Sequence, residues 1–213
     1  MRYRLFAAQG YITEPFMRSY EDLPADVHLR DGHHFRYRAF GKARVKGEML
    51  LWEEDTSFFQ SDAINEYAGG MDRRFAPLGD PAKEFAEGLV NAPAIRELAA
   101  AEEFEIGCHQ IRITAADDRP GFPAPEGFHQ DGYDLIAVTC VAAENVSGGI
   151  SLVRENAAAG EIILERVMAP GESLFLADRE VKHYVSPITP KIPGEPAYRD
   201  VAVITFSLGE QAQ

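Results

Sequence analysis

A chain of 213 residues, 46% of them hydrophobic, is long enough to bury a sizeable core and fits one large domain. Its 34 acidic residues outweigh 21 basic ones, and the net charge of −13 excludes nucleic-acid phosphate and anionic membrane surfaces as partners. No apolar run reaches the ~18 residues of a membrane span, and Met1-Arg2-Tyr3-Arg4-Leu5 lacks the apolar core of a secretion signal, so the cytoplasm is expected.

In chain order, Glu14-Pro15-Phe16-Met17-Arg18-Ser19-Tyr20 reads as a short helix opened by proline. Phe35-Arg36-Tyr37-Arg38-Ala39-Phe40 alternates apolar with basic residues as a half-buried strand does, and Val45 to Trp52 is its expected hairpin partner. Trp52, the sole tryptophan, is expected in the core. Asp80-Pro81 supplies a cap and a proline for a helix carrying Phe85 and Leu89 on one face. A second helix is expected over 93–104, with Ile95, Leu98 and Ala99 inward.

From Gly107 onward the pattern changes to short strands divided by Gly, Pro and Asn turns. Strands are expected near 107–114, 134–142, 149–154, 161–168, 172–177, 181–186 and 199–208. Such spacing argues for a mainly β architecture with flanking α-helices, its core a jelly roll (a double-stranded β-helix, cupin-like). The expected organisation is a single domain, with 1–106 as mixed α/β support and 107–208 as the jelly-roll core. Cys108 and Cys140 sit in apolar, strand-like runs, which leaves two readings: buried thiols in a reducing compartment, or a disulfide between them.

Chemistry concentrates in Pro125-Glu126-Gly127-Phe128-His129-Gln130-Asp131-Gly132-Tyr133-Asp134. On extended backbone His129 and Asp131 point the same way, so both can ligate one metal ion. Two imidazoles and one carboxylate on Fe(II) leave three positions open, as a non-haem iron oxygenase requires. The later histidine, His183, lies in Val181-Lys182-His183-Tyr184-Val185 and shares a face with two valines, which suits either a core histidine or the third ligand. In Arg199-Asp200-Val201-Ala202-Val203-Ile204-Thr205-Phe206 the arginine shares a face with Val201, Val203 and Thr205. A cation so placed needs an anion: a dicarboxylate cosubstrate, or a structural carboxylate such as Asp178.

Four further sets leave two readings each. On Cys108-His109-Gln110-Ile111-Arg112-Ile113, Gln110 and Arg112 either line the barrel, for cosubstrate or substrate carboxylate, or face solvent over an isoleucine core. Glu126 is a substrate-ammonium anchor or an exposed loop carboxylate. Asn65 and Arg74 are substrate contacts or surface residues. His33-His34 is a surface pair or a ligand set lacking a third member.

His129-x-Asp131, His183 and Arg199 among short strands resemble the Fe(II)/2-oxoglutarate-dependent dioxygenase superfamily. The 125–132 and 109–113 segments, with 171–183, are similar to its bacterial branch of free amino-acid hydroxylases. The resemblance implies Fe(II) on His129, Asp131 and His183, 2-oxoglutarate with its distal carboxylate on Arg199, O₂ as the oxidant, and hydroxylation of an aliphatic C–H. Many relatives carry Ser or Thr two residues after this arginine. Here Val201 stands there, so Thr205, Tyr133 or Gln110 must supply the missing donor. The expected partner is a small molecule, a free L-amino acid, with a homodimer as the assembly allowed for. Two other functions compete: a metal cupin enzyme that uses no 2-oxoglutarate, and a catalytically silent binding or stress-response protein.

Overall fold

The computed structural model describes residues 1–29, 34–60, 70–99, 101–157 and 160–209. Its strands are β1 (Tyr3–Ala7), β2 (Arg36–Lys46), β3 (Met49–Trp52), β4 (Ser57–Gln60), β5 (Met71–Arg74), β6 (Ala76–Pro77), β7 (Glu103–Ala115) and β8 (Leu135–Glu144). They continue as β9 (Val146–Gly148), β10 (Ile150–Glu155), β11 (Ile162–Val167), β12 (Glu172–Ala177), β13 (Val181–Val185), β14 (Ile188–Pro190) and β15 (Ala197–Ser207). The helices are α1 (Glu14–Arg18), α2 (Asp80–Val90) and α3 (Pro93–Ala99).

The major sheet runs β1-β12-β8-β15-β7-β2-β3, with β6 added parallel to β2. Facing it is a sheet ordered β11-β10-β13, and β9 pairs with β14. This is the jelly-roll arrangement, and strands from before residue 107 extend the major sheet at both edges.

The helices cover the outer face of the major sheet. Thr13 caps α1, its hydroxyl accepting from the Phe16 amide at 3.3 Å, and Phe16 stacks on Phe85 of α2 with centroids 4.4 Å apart. Gly79 takes the N-cap position of α2, with Asp80 already in the first turn. The helix buries Ala82, Phe85, Ala86, Leu89 and Val90, the i, i+3, i+4 stripe that drives it onto the sheet. Beneath it lie Ala43, Ile106, Ala202, Ile204 and Phe206. A second cluster fills the space between the sheets, with Ile136, Val153, Leu174, Leu176 and Val181.

Three expectations shift in extent. Helix α3 stops at Ala99 rather than 104, because Phe104 and Ile106 pack into the sheet core as part of β7. β2 runs on to Lys46, so the hairpin turns at Gly47, whose φ of 57° suits glycine. β1, unseen in the sequence, pairs with β12. Trp52 is half-buried against the helix cluster and donates its indole N–H to Glu87. Cys108 and Cys140 are buried free thiols. Among the described residues no helix is long and apolar enough to cross a membrane.

Candidate metal centre

The loop after β7 returns to the strands through short bridges, Gly121 to Ile188 and then His129 to His183. His129 donates its amide to the His183 carbonyl at 3.1 Å and accepts from the His183 amide at 2.9 Å. This exchange aligns two residues that lie far apart in sequence and brings their rings to 4.3 Å between centroids. One ligand atom from each of His129, Asp131 and His183 then lies within 4.8 Å of the others. That separation is what three ligands of a common ion require.

The surroundings prepare these atoms. His129 Nδ1 donates to the Gly127 carbonyl at 2.8 Å, so the ring proton sits on Nδ1 and the Nε2 lone pair is left to face Asp131. His183 Nε2 is buried without a hydrogen-bond partner among the described residues, 3.4 Å from Asp131 Oδ2. An orphaned imidazole nitrogen beside a carboxylate is the donor set of a divalent metal, and the residues present fit one. Burial opposes ionisation of Asp131, but His183 and His129 beside it outweigh this and hold its carboxyl well below the usual range. Burial likewise disfavours the charged form of His183, and Asp131 reverses that, raising its pKa.

A second carboxylate holds the loop itself. Asp178, fully buried after β12, accepts the backbone amides of Asp131 at 3.1 Å, Gly132 at 2.7 Å and Tyr133 at 3.0 Å. Gly132 supplies the φ of 89° this turn needs. Gln60 of β4 adds a contact from the other side, donating to the Asp131 carbonyl at 3.1 Å.

One cavity adjoins the three ligand residues. Its wall includes Arg199, Val201, Val203 and Thr205 of β15, so the alternation read from the sequence is the one observed. Arg199 is 3% exposed, its Nη2 has no hydrogen-bond partner among the described residues, and Asp178, the anion considered for it, is engaged by the loop. Glu126 also lines the cavity, with Oε1 3.2 Å from His129 Nε2.

Other candidates lie elsewhere. On β7 it is His109, Ile111 and Ile113 that face the cavity. Gln110 points beneath α1 and donates to the Ser19 hydroxyl at 2.7 Å, so it is neither a cosubstrate contact nor the donor replacing Ser or Thr. Arg112 forms a bidentate pair with Asp200, both contacts 2.7 Å, and stacks on Tyr198, so it is not a substrate contact. Both faces of this central strand are covered, by helices on one side and the cavity on the other, which neither reading of the sequence allowed for. Arg74 has an 80% exposed side chain near Asp55, so its neighbour Arg73 takes the cavity position instead. Asn65 and His33 fall outside the described residues, and His34 is exposed. Thr205 lines the cavity and donates to the Gly107 carbonyl at 3.3 Å. Burial, with the nearby Asp131 charge, pushes the Tyr133 phenol up to about 12.

Among the cavity residues that went unnoticed in the sequence are Arg36, Arg38, Arg73 and Phe58. The alternation of basic residues in β2 was the signal for Arg36 and Arg38, but in a half-buried strand it would have placed them outward.

Comparison with known proteins converges on one family. The model of the 2OG-Fe dioxygenase family matches residues 17–205. The chain is 26% identical over 209 residues to the 3(1)-hydroxy-L-isoleucine 4-dioxygenase of Pantoea ananatis, covering 93% of this chain and 82% of that protein. It is 25% identical over 168 residues to the L-isoleucine-4-hydroxylase of Bacillus thuringiensis, covering 75% and 69% respectively. Among solved structures, a BsmA homolog from Methylobium petroleophilum superposes with a TM-score of 0.78 at 28% identity, covering 99% of this chain and 90% of that one. The IDO structure from Bacillus thuringiensis shares the fold at a TM-score of 0.70 and 20% identity, covering 96% and 89%. With a jelly roll, a convergent His-Asp-His set and a family match over most of its length, this chain belongs to the 2OG-Fe dioxygenases, enzymes that use Fe(II), 2-oxoglutarate and O₂.

Proposed function

We propose that the protein hydroxylates an aliphatic C–H of a free L-amino acid, with His129, Asp131 and His183 holding Fe(II) and Arg199 gripping the distal carboxylate of 2-oxoglutarate. The observation that carries this reading is the pairing of two demands in one cavity that no described residue meets: a ligand nitrogen without a hydrogen-bond partner on His183 and a buried guanidinium without an anion on Arg199. When bound, Fe(II) with 2-oxoglutarate and O₂ supplies the oxidising power: one oxygen atom enters the C–H bond as hydroxyl, the other enters succinate, and CO₂ is lost.

The chain's own residues do the positioning. Asp178 holds the His129–Asp131 loop in register, and the Gly127 carbonyl fixes the His129 tautomer. The guanidinium of Arg199 aims the cosubstrate. Thr205 lies on the same face, but it gives its one hydroxyl proton to the Gly107 carbonyl and does not replace the donor absent at Val201. Ile111, Ile113, Val138, Val185, Val201 and Val203 keep water from the reacting carbon. Glu126, beside His129, takes the substrate ammonium. The names of the two curated relatives support an amino acid as the substrate class. Buried free thiols suit the cytoplasm.

The test is anaerobic titration of the purified protein with Fe(II) and then 2-oxoglutarate, followed by an aerobic screen of free L-amino acids read out as succinate. A visible charge-transfer band and amino-acid-dependent succinate are expected. Iron binding without the band would point to a metal cupin enzyme of another kind.

A further inference from the structure

Beyond Arg199, the cavity wall carries three more arginines: Arg36 and Arg38 of β2 and Arg73 of β5. Arg36 is neutralised, its Nε donating to Asp26 at 2.7 Å. Arg38 and Arg73 are not. They are 7% and 2% exposed, and neither pairs with a carboxylate among the described residues. The Nε of each is buried without an acceptor among the described residues. Their remaining contacts are neutral: Arg38 donates to His109 Nδ1 at 2.8 Å and Arg73 to Gln60 Oε1 at 2.8 Å. Burial and the neighbouring arginines hold His109 well below its usual pKa, so it accepts as a neutral ring.

Aromatic rings hold the flat faces of both cations. Arg38 lies 4.4 Å from the Phe75 centroid and 5.4 Å from that of Phe58, and Arg73 lies 5.0 Å from Phe58. Stacking of this kind fixes a guanidinium plane and leaves its N–H edge free to donate. Two fixed edges facing one cavity, with donors unmet, are costly unless an anion arrives to meet them. The reading above gives Arg199 to 2-oxoglutarate and Asp131 to the metal, and Asp26 is bound by Arg36, so among the described residues the remaining carboxylate lining the cavity is Glu126, which stands beside His129.

We propose that Arg38 and Arg73 form the seat for the substrate's carboxylate, so that the enzyme selects small molecules bearing a free carboxylate and rejects their amides. Paired with Glu126, this fixes both ends of an α-amino acid, carboxylate toward β2 and β5 and ammonium toward His129. The inference rests on the functional reading only in assigning Arg199 and Asp131 elsewhere.

The experiment uses the protein loaded with Fe(II) and 2-oxoglutarate under nitrogen, which fills the Arg199 site. Wild type, Arg38→Met and Arg73→Met are titrated with sodium acetate, L-isoleucine, L-glutamate and L-isoleucinamide by calorimetry, and their melting is followed with and without acetate. At least one of the three carboxylates is expected to bind wild type, and each Met variant to lose about tenfold or more of that affinity. L-Isoleucinamide is expected to bind wild type at least about tenfold more weakly than L-isoleucine does, and equal binding of the two overturns the selection against amides. The Met variants are expected to melt no lower than wild type, since each removes a buried cation that has no carboxylate partner among the described residues. If they do not fold, Arg38→Lys and Arg73→Lys, which keep the charge but not the fork, are titrated against the same tenfold criterion. Carboxylates that bind neither protein, or bind variants and wild type alike, overturn the seat. Failure of the charge-transfer band to form counts against the functional reading instead, and acetate-dependent melting of the unloaded proteins then decides the seat.

Discussion

Replacing Asp178 by Asn tests how the metal centre is organised. The carboxylate accepts three backbone amides, from Asp131, Gly132 and Tyr133, at 3.1, 2.7 and 3.0 Å. A carboxamide of the same shape has one acceptor oxygen, so at least one amide meets an NH₂ group and the remaining contacts lose their charge assistance. A hydrogen bond to a charged group contributes about 1.5–3 kcal/mol and a neutral one about 0.5–1.5 kcal/mol, so the two weakened contacts alone cost the loop about 2–3 kcal/mol of ordering. At about 1.4 kcal/mol per decade this is a loss of at least about 30-fold in metal affinity. The clusters that hold the sheets and helices do not include residue 178, so the melting temperature should move little compared with metal binding. Calorimetric titration with Fe(II) under nitrogen, or with Mn(II), measures the effect alongside a thermal melt. Metal affinity within about threefold of wild type would show that something other than Asp178 holds His129 and Asp131 in place.

His183→Ala should abolish metal binding while the fold persists, since its Nε2 makes no hydrogen bond within normal geometry among the described residues; unfolding of the variant by circular dichroism would instead mark a core histidine. Arg199→Ala should raise the 2-oxoglutarate concentration needed for the visible band by about 100-fold or more, the worth of two charge-assisted contacts, and an unchanged requirement would count against its role. Asp26→Asn should flatten the acid limb of stability. Burial works against the Asp26 charge, but Arg36 and Arg38 outweigh it and lower the folded-state pKa. Its contribution is therefore complete above the unfolded value of about 3.9 and disappears as pH falls through the lower folded value. Urea melts across pH 2–5 compare the variant with wild type, and parallel profiles would refute the assignment.

The local pattern was enough for the chemistry because its signals are short-range. Alternation at period two placed Arg199 with Val201, Val203 and Thr205, and His183 with its flanking valines, whatever the partner strands. His129 and Asp131 carry their shared direction within three residues. The strand run from 107 and the stripe on α2 likewise follow from side-chain periodicity alone.

Tertiary structure decided everything that depended on what covers a strand. β7 and β2 are central and buried on both faces, so alternation could not say which face met the cavity, and Gln110 and Arg112 went the other way from His109. The inward turn of Arg36 and Arg38, the choice of Arg73 over Arg74, and the use of Asp178 to hold a loop rather than to pair with Arg199 follow from long-range packing. Residue types and spacing determined that a metal-ligating set existed; the crossing of distant strands determined which cations share its cavity, because burial is a property of the assembled sheets and not of any one segment.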